Sequence, residues 1–298
     1  MQMPHTHDEV LALANSDQFS RKCACIAGLA FLTWDTVSNF DKEYIFVFNP
    51  PSRVKFLYLF ARYFGIGSQI FSVFYTTRHL STTPIPSETC RRWFYFQIIT
   101  IMALQTSVEV ILILRVYALY RKSTLVGYIL TFAILAEICL GVYLAVSAFD
   151  SLEYNAACIV TAASREMARV GGCIGVTQTI IWGFALYKYR QGLQEGWADI
   201  PVVSRVMRDG SSTFVAIIAM LLVFVPVFFR VKDIAHIAVP LITCAFSVLA
   251  CRLIINMHNL KQSPPEAVDV ELTSALEMSF VESRRSLETI FLATADIP

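Results

Sequence analysis

Four ionisable residues stand inside long apolar runs: Asp35, Arg62, Glu109 and Glu137. A charged side chain buried in hydrocarbon costs several kcal/mol, so each needs a partner. An acid with a base gives an ion pair, and two acids give a shared proton or a cation site. Asp35 and Arg62 suit the first arrangement. If the runs that carry them form an antiparallel pair around Asn49-Pro50-Pro51, Arg62 comes opposite about position 38, roughly one turn from Asp35. The alternative puts Asp35 at the aqueous interface, in contact with water. Glu109 and Glu137 fall within about one turn of each other in depth by the same counting. Together they suit a proton relay or an ion site. The alternative is a protonated Glu bonded to a backbone carbonyl or to a Ser/Thr neighbour.

Two further sets of residues have spacing that could matter. Arg115, Tyr117 and Tyr120 close one apolar run as Arg115-Val116-Tyr117-Ala118-Leu119-Tyr120. There an Arg snorkels toward head groups and Tyr belongs to the aromatic belt. The run superficially resembles the Arg-Tyr lock of G-protein-coupled receptors, but Leu114 stands where that lock has an acid. Cys90 precedes the same run, and Cys158 lies in the loop two segments later. If both face an oxidising compartment, a Cys90–Cys158 disulfide ties that loop to the run's start. The alternative is two unpaired thiols. The other six cysteines lie within apolar runs or at their ends and read as small packing residues.

Metal-ligand spacing, a phosphate-binding loop, a dinucleotide fingerprint and a nucleophile elbow are all absent from the sequence, so no cofactor, metal or catalytic set is expected. Of the 298 residues 56% are hydrophobic and 16% charged, whereas soluble domains carry about 25% charged residues. The net charge of +1 gives no field to recruit nucleic acid.

The elements that must position these residues are transmembrane helices. A helix needs roughly 20 apolar residues to cross a bilayer, and runs of that length satisfy their backbone in lipid only as helices. Seven runs qualify: Lys22 to Phe40, Val54 to Tyr75, Trp93 to Tyr120, Leu125 to Phe149, Ala168 to Tyr187, Ser212 to Phe229 and Ile234 to Ile255. The run from Trp93 to Tyr120 is the one the others pack around. The first is short and interrupted by Asp35, so six spans is the alternative. Lys and Arg near the ends divide fourteen to nine in favour of an outside N-terminus and an inside C-terminus. Pro226 and Pro240 kink the last two spans, and Asp209-Gly210 reads as a cap and turn before the sixth. Residues 1–21 then form an N-terminal extracytoplasmic segment without signal-peptide character. Residues 22–257 form the helical domain. Residues 258–298 form a cytoplasmic tail, read as mostly disordered or as a short amphipathic helix that docks on a partner or on the bundle.

Several local patterns occur together: Trp34-Asp35 with Glu43, Phe60-Ala61-Arg62-Tyr63, the Arg115 to Tyr120 run, Arg208-Asp209-Gly210 with Phe214, and Arg252-Leu253-Ile254-Ile255-Asn256. Their order and spacing resemble a large basidiomycete family of seven-helix membrane proteins known only as a domain of unknown function. The resemblance covers about residues 20 to 260. It departs at Trp34, where the pattern has Tyr, and at Arg121, where it has a small residue. What it implies is a multi-pass protein with no activity to carry over.

The reading is therefore an all-α, seven-helix transmembrane bundle in a plasma or internal membrane. Its partners are the lipid bilayer, a small-molecule or protein ligand, and a cytoplasmic partner of the tail. The leading function is a receptor-like sensor without catalysis. The alternatives are a transporter or proton-coupled carrier using Asp35, Arg62, Glu109 and Glu137, and a structural membrane protein. No half-repeat of the kind common in carriers is visible.

Overall fold

The computed structural model describes residues 7–41, 43–44, 53–80, 85–149, 158, 165–195, 201–230 and 235–262. Among them are seven long helices and no strand. α1 is His7–Ser38. α2 is continuous through Arg53–Leu59, a π-helical turn at Phe60–Phe64 and Gly65–Arg78. α3 is Ser87–Leu119, α4 Thr124–Phe149, α5 Arg165–Glu195, α6 Pro201–Arg230 and α7 Ala235–Gln262. Five of these, α3 to α7, are long and apolar enough to cross a membrane, the mark of a membrane-embedded protein.

Several helices overrun the apolar stretches that announce them. α1 starts at His7 rather than near Lys22. Its first turns are rich in Ala and Leu, which favour a helix. α6 starts at Pro201, where a proline suits the first helical position because its missing N–H would be unbonded anyway. This corrects one expectation: Asp209 and Gly210 lie inside α6 and neither caps nor turns anything. Hydropathy marks only the part of a helix that lipid can surround, so it missed the polar first turns. α6 and α7 remain helical through Pro226 and Pro240.

α3 shares the centre with α7. Half of α3's apolar window and two-thirds of α7's is buried, against less than a third for α4, α5 and α6. The core joins Leu104, Val108, Ile111 and Leu112 of α3 to Phe246, Ala250 and Ile254 of α7, with Leu130, Ile181 and Ile217 closing it from the outer helices. α2 also meets α7 at very short range. The Gly65 backbone lies against Ser247, whose Oγ donates to the Ala61 carbonyl at 2.9 Å. A side chain at 65 would collide with Ser247.

The first two helices reverse the pattern of a soluble protein. α1 buries Gln18, Arg21 and Asp35 and exposes Phe19, Ile26, Phe31, Trp34 and Val37. α2 buries Arg62, Ser68, Gln69, Ser72 and Thr76 and exposes Phe56, Tyr63, Ile70 and Phe74. Both stripes follow the helical repeat of three to four residues. In α2 the serines and Thr76 return their hydroxyls to carbonyls one turn back, and Gln69 Nε2 donates to the Pro240 carbonyl at 2.9 Å. Four of the polar side chains that α2 turns inward, Ser68, Gln69, Ser72 and Thr76, are thus bonded inside the bundle.

Candidate functional site

Three polar constellations lie along the bundle. At the end where α1 and α7 finish and α2 begins, Arg62 sits on the π-helical turn. A π turn adds one residue to the helix and re-aims the side chains beside it. Arg62 is 1% exposed. Its Nη1 donates to Asp35 Oδ2 at 2.7 Å, and its Nη2 donates to Glu43 Oε1. Asp35 Oδ1 also accepts from Arg252 Nη2 of α7 at 3.2 Å and from Asn39 Nδ2 at 3.4 Å. Two carboxylates and two guanidinium groups leave no net formal charge. Arg252 is largely exposed, so the cluster runs from a dry interior to the bundle's end.

Sequence reasoning pairs Asp35 with Arg62. It quotes Glu43 and Arg252 as motif residues without assigning them to the pair. Glu43 follows the end of α1, where helical periodicity no longer says which way a side chain points. Arg252 is 217 residues from Asp35, beyond any local counting. The Asn49-Pro50-Pro51 turn lies outside the described residues.

The second constellation is in mid-bundle. Glu109, 1% exposed, accepts at Oε1 from Gln105 Nε2 at 2.8 Å and from Gln178 Nε2 of α5 at 3.1 Å. The Glu137 carboxyl of α4 is close enough to interact with both Glu109 and Thr177, while its Oε2 bonds no described protein atom. The structure brings the two acids together and adds two amides that sequence reasoning missed. An uncharged Gln in an apolar run gives no signal of its own.

The third lies at the C-terminal end of α3. Here the structure corrects the expected anchor: Arg115 does not snorkel outward. It is buried on the α7-facing side, and its Nη2 donates to the Leu253 carbonyl. α3 is apolar almost all round, so its sequence carries no stripe to say which side Arg115 takes. The tyrosines stay nearer the rim. The Tyr120 hydroxyl donates to the Phe184 carbonyl at 3.0 Å, and the Tyr117 ring packs against Gly127. Beside Arg115 opens a cleft lined by α3, α5 and α6. α6 is fastened to α5 by the stacked rings of Trp182 and Phe214 and to α7 by Asn256 Nδ2 donating to Asp209 Oδ2 at 3.0 Å. It stands off α3, which leaves the cleft.

At the opposite end, Cys90 at the start of α3 is disulfide-bonded to Cys158, with Cα atoms 5.3 Å apart. The bridge is buried with Leu80, Ile85 and Trp93, and Tyr75 stacks on Trp93 at 5.1 Å. Among the described residues no group of three or more His, Cys, Asp or Glu could hold a metal ion.

Neither a curated protein nor a solved structure matches this chain. Residues 23–67 do match a family of unknown function, DUF6533, and that stretch holds Asp35, Glu43 and Arg62, three of the four members of the ionic cluster.

Proposed function

We propose that this chain crosses the membrane seven times, with its N-terminus outside and its C-terminus in the cytoplasm, and works as a receptor-like sensor without catalysis. α1 and α2 complete the seven. Their hydropathy is diluted by polar residues that face inward, while their outward faces carry large apolar side chains. The Cys90–Cys158 bridge supports the orientation, because disulfides persist on the oxidising side.

One observation carries the sensor reading. Four of the charges, Asp35, Glu43, Arg62 and Arg252, neutralise one another at one end of the bundle. The open space lies in the cleft between α3, α5 and α6. A ligand on the outer side would act by biasing the seat of α6, and a cytoplasmic partner would read that change. The carrier reading draws on a different observation, the apposition of Glu109 and Glu137 with an unbonded carboxyl oxygen.

Vesicles separate the two. Reconstituted protein under imposed proton and sodium gradients is expected to dissipate them no faster than empty vesicles. Dissipation that Glu137→Gln abolishes would establish the carrier and overturn the sensor.

A further inference from the structure

Arg115 has more donors than the protein fills. It is 7% exposed and lines the cleft between α3, α5 and α6. Only its Nη2 is bonded, to the Leu253 carbonyl; Nε and Nη1 meet no described acceptor. A guanidinium is always charged, and an unmet charged donor in a dry site is costly. Asp209 is the acid whose charge acts on it. No ion-pair contact joins the two, however, and Asp209 Oδ2 accepts from Asn256. Gln178 lines the same cleft at 1% exposure. Its amide nitrogen is committed to Glu109, and its Oε1 accepts from no described donor. The remaining wall is apolar, with Leu112, Val116, Ile181 and Phe214. Small-molecule sites likewise pair apolar walls with a few convergent polar groups.

We propose that this cleft binds an anionic amphiphile whose head is a phosphate monoester or a carboxylate. The head oxygens take the unfilled Arg115 donors, a hydroxyl of the head donates to Gln178 Oε1, and the apolar part lies along Leu112, Val116, Ile181 and Phe214. Arg suits oxyanions of this kind because its planar donors match their oxygens. Two sources supply such a head, an acidic lipid of the inner leaflet and a soluble amphiphile, and the chemistry at Arg115 is the same for both. Binding here does not require the sensor role.

The test uses the full chain in nanodiscs of phosphatidylcholine. Phosphatidic acid mixed into the disc is the lipid probe, decyl phosphate titrated from solution the soluble probe, and decanol the neutral control. At least one anionic probe should bind and raise the melting temperature, and decanol should not. Saturation by phosphatidic acid alone assigns the site to the leaflet, and saturation by decyl phosphate to a soluble ligand; either supports the site. Arg115→Met should weaken binding at least tenfold, about 1.4 kcal/mol. Gly210→Phe guards against misfolding as the cause. Gly210 lines the cleft, and a Cβ there meets nothing within 4 Å, so the new ring should fill the cleft without disturbing the helix. It too should weaken binding at least tenfold while leaving the melting temperature of the unliganded protein nearly unchanged. The proposal is overturned if neither anionic probe binds, if decanol binds as well as decyl phosphate, or if both variants bind as tightly as the parent.

Discussion

Arg62→Met should remove most of the folded protein from the membrane fraction. The change leaves Asp35 and Glu43 with Arg252 as their remaining described cation, and Arg252 pairs with Asp35 rather than with Glu43. Breaking a buried pair by deleting one partner costs about 3–5 kcal/mol, because the other charge stays behind. That is a large part of the 5–15 kcal/mol by which folded proteins are commonly stable. Arg62→Lys should recover little. One ammonium cannot reach two carboxylates along the two arms that Nη1 and Nη2 occupy. Removing the opposite charge as well should help: Asp35→Asn with Arg62→Gln should lose less than the sum of the two single changes. Detergent-extracted yield and thermal stability of the four proteins check this, and strictly additive losses would show that the side chains do not interact.

The second large effect concerns the other end. Cys90→Ser or Cys158→Ser should lower thermal stability by about 2–4 kcal/mol, the usual contribution of a native disulfide. Each should lower it equally, since either change frees the same loop of 68 residues. The double change should be no worse than either single one. A reductant should shift the parent to the melting temperature of the variants and leave the variants where they are. Full alkylation of both cysteines without reduction would show that the bridge does not form in the protein as made.

How much of this was legible in the sequence depends on the kind of signal each residue gives. Length and hydropathy suffice for α3, α4, α5 and α7, because lipid demands long apolar runs. They place α6 but miss its first turns, which extend past the apolar part to Pro201. Depth counting puts Asp35 near Arg62, and Glu109 near Glu137, since antiparallel neighbours preserve depth. It says nothing of rotation about a helix axis, so it cannot turn Arg115 inward or aim Gln178 at Glu109. Nor does it register Glu43 or Arg252, which reach the cluster from beyond a helix end and from the far end of the chain. The π turn under Arg62 leaves no periodic trace in five residues. The inward polar stripes of α1 and α2 are the opposite case. They lower the hydropathy that marks a span, yet they form the interior that bonds α2 to α7.

Everything rests on an odd number of crossings, with the disulfide on one side of the lipid and the ionic cluster on the other. Epitope tags at Met1 and Pro298 test this directly in intact and permeabilised cells. The account predicts that the first tag is reached by antibody from outside without permeabilisation and the second only after it, with Cys90 and Cys158 labelled by an impermeant thiol reagent once the outside is reduced. Both tags on one side, or cysteines labelled only from the cytoplasm, would contradict it.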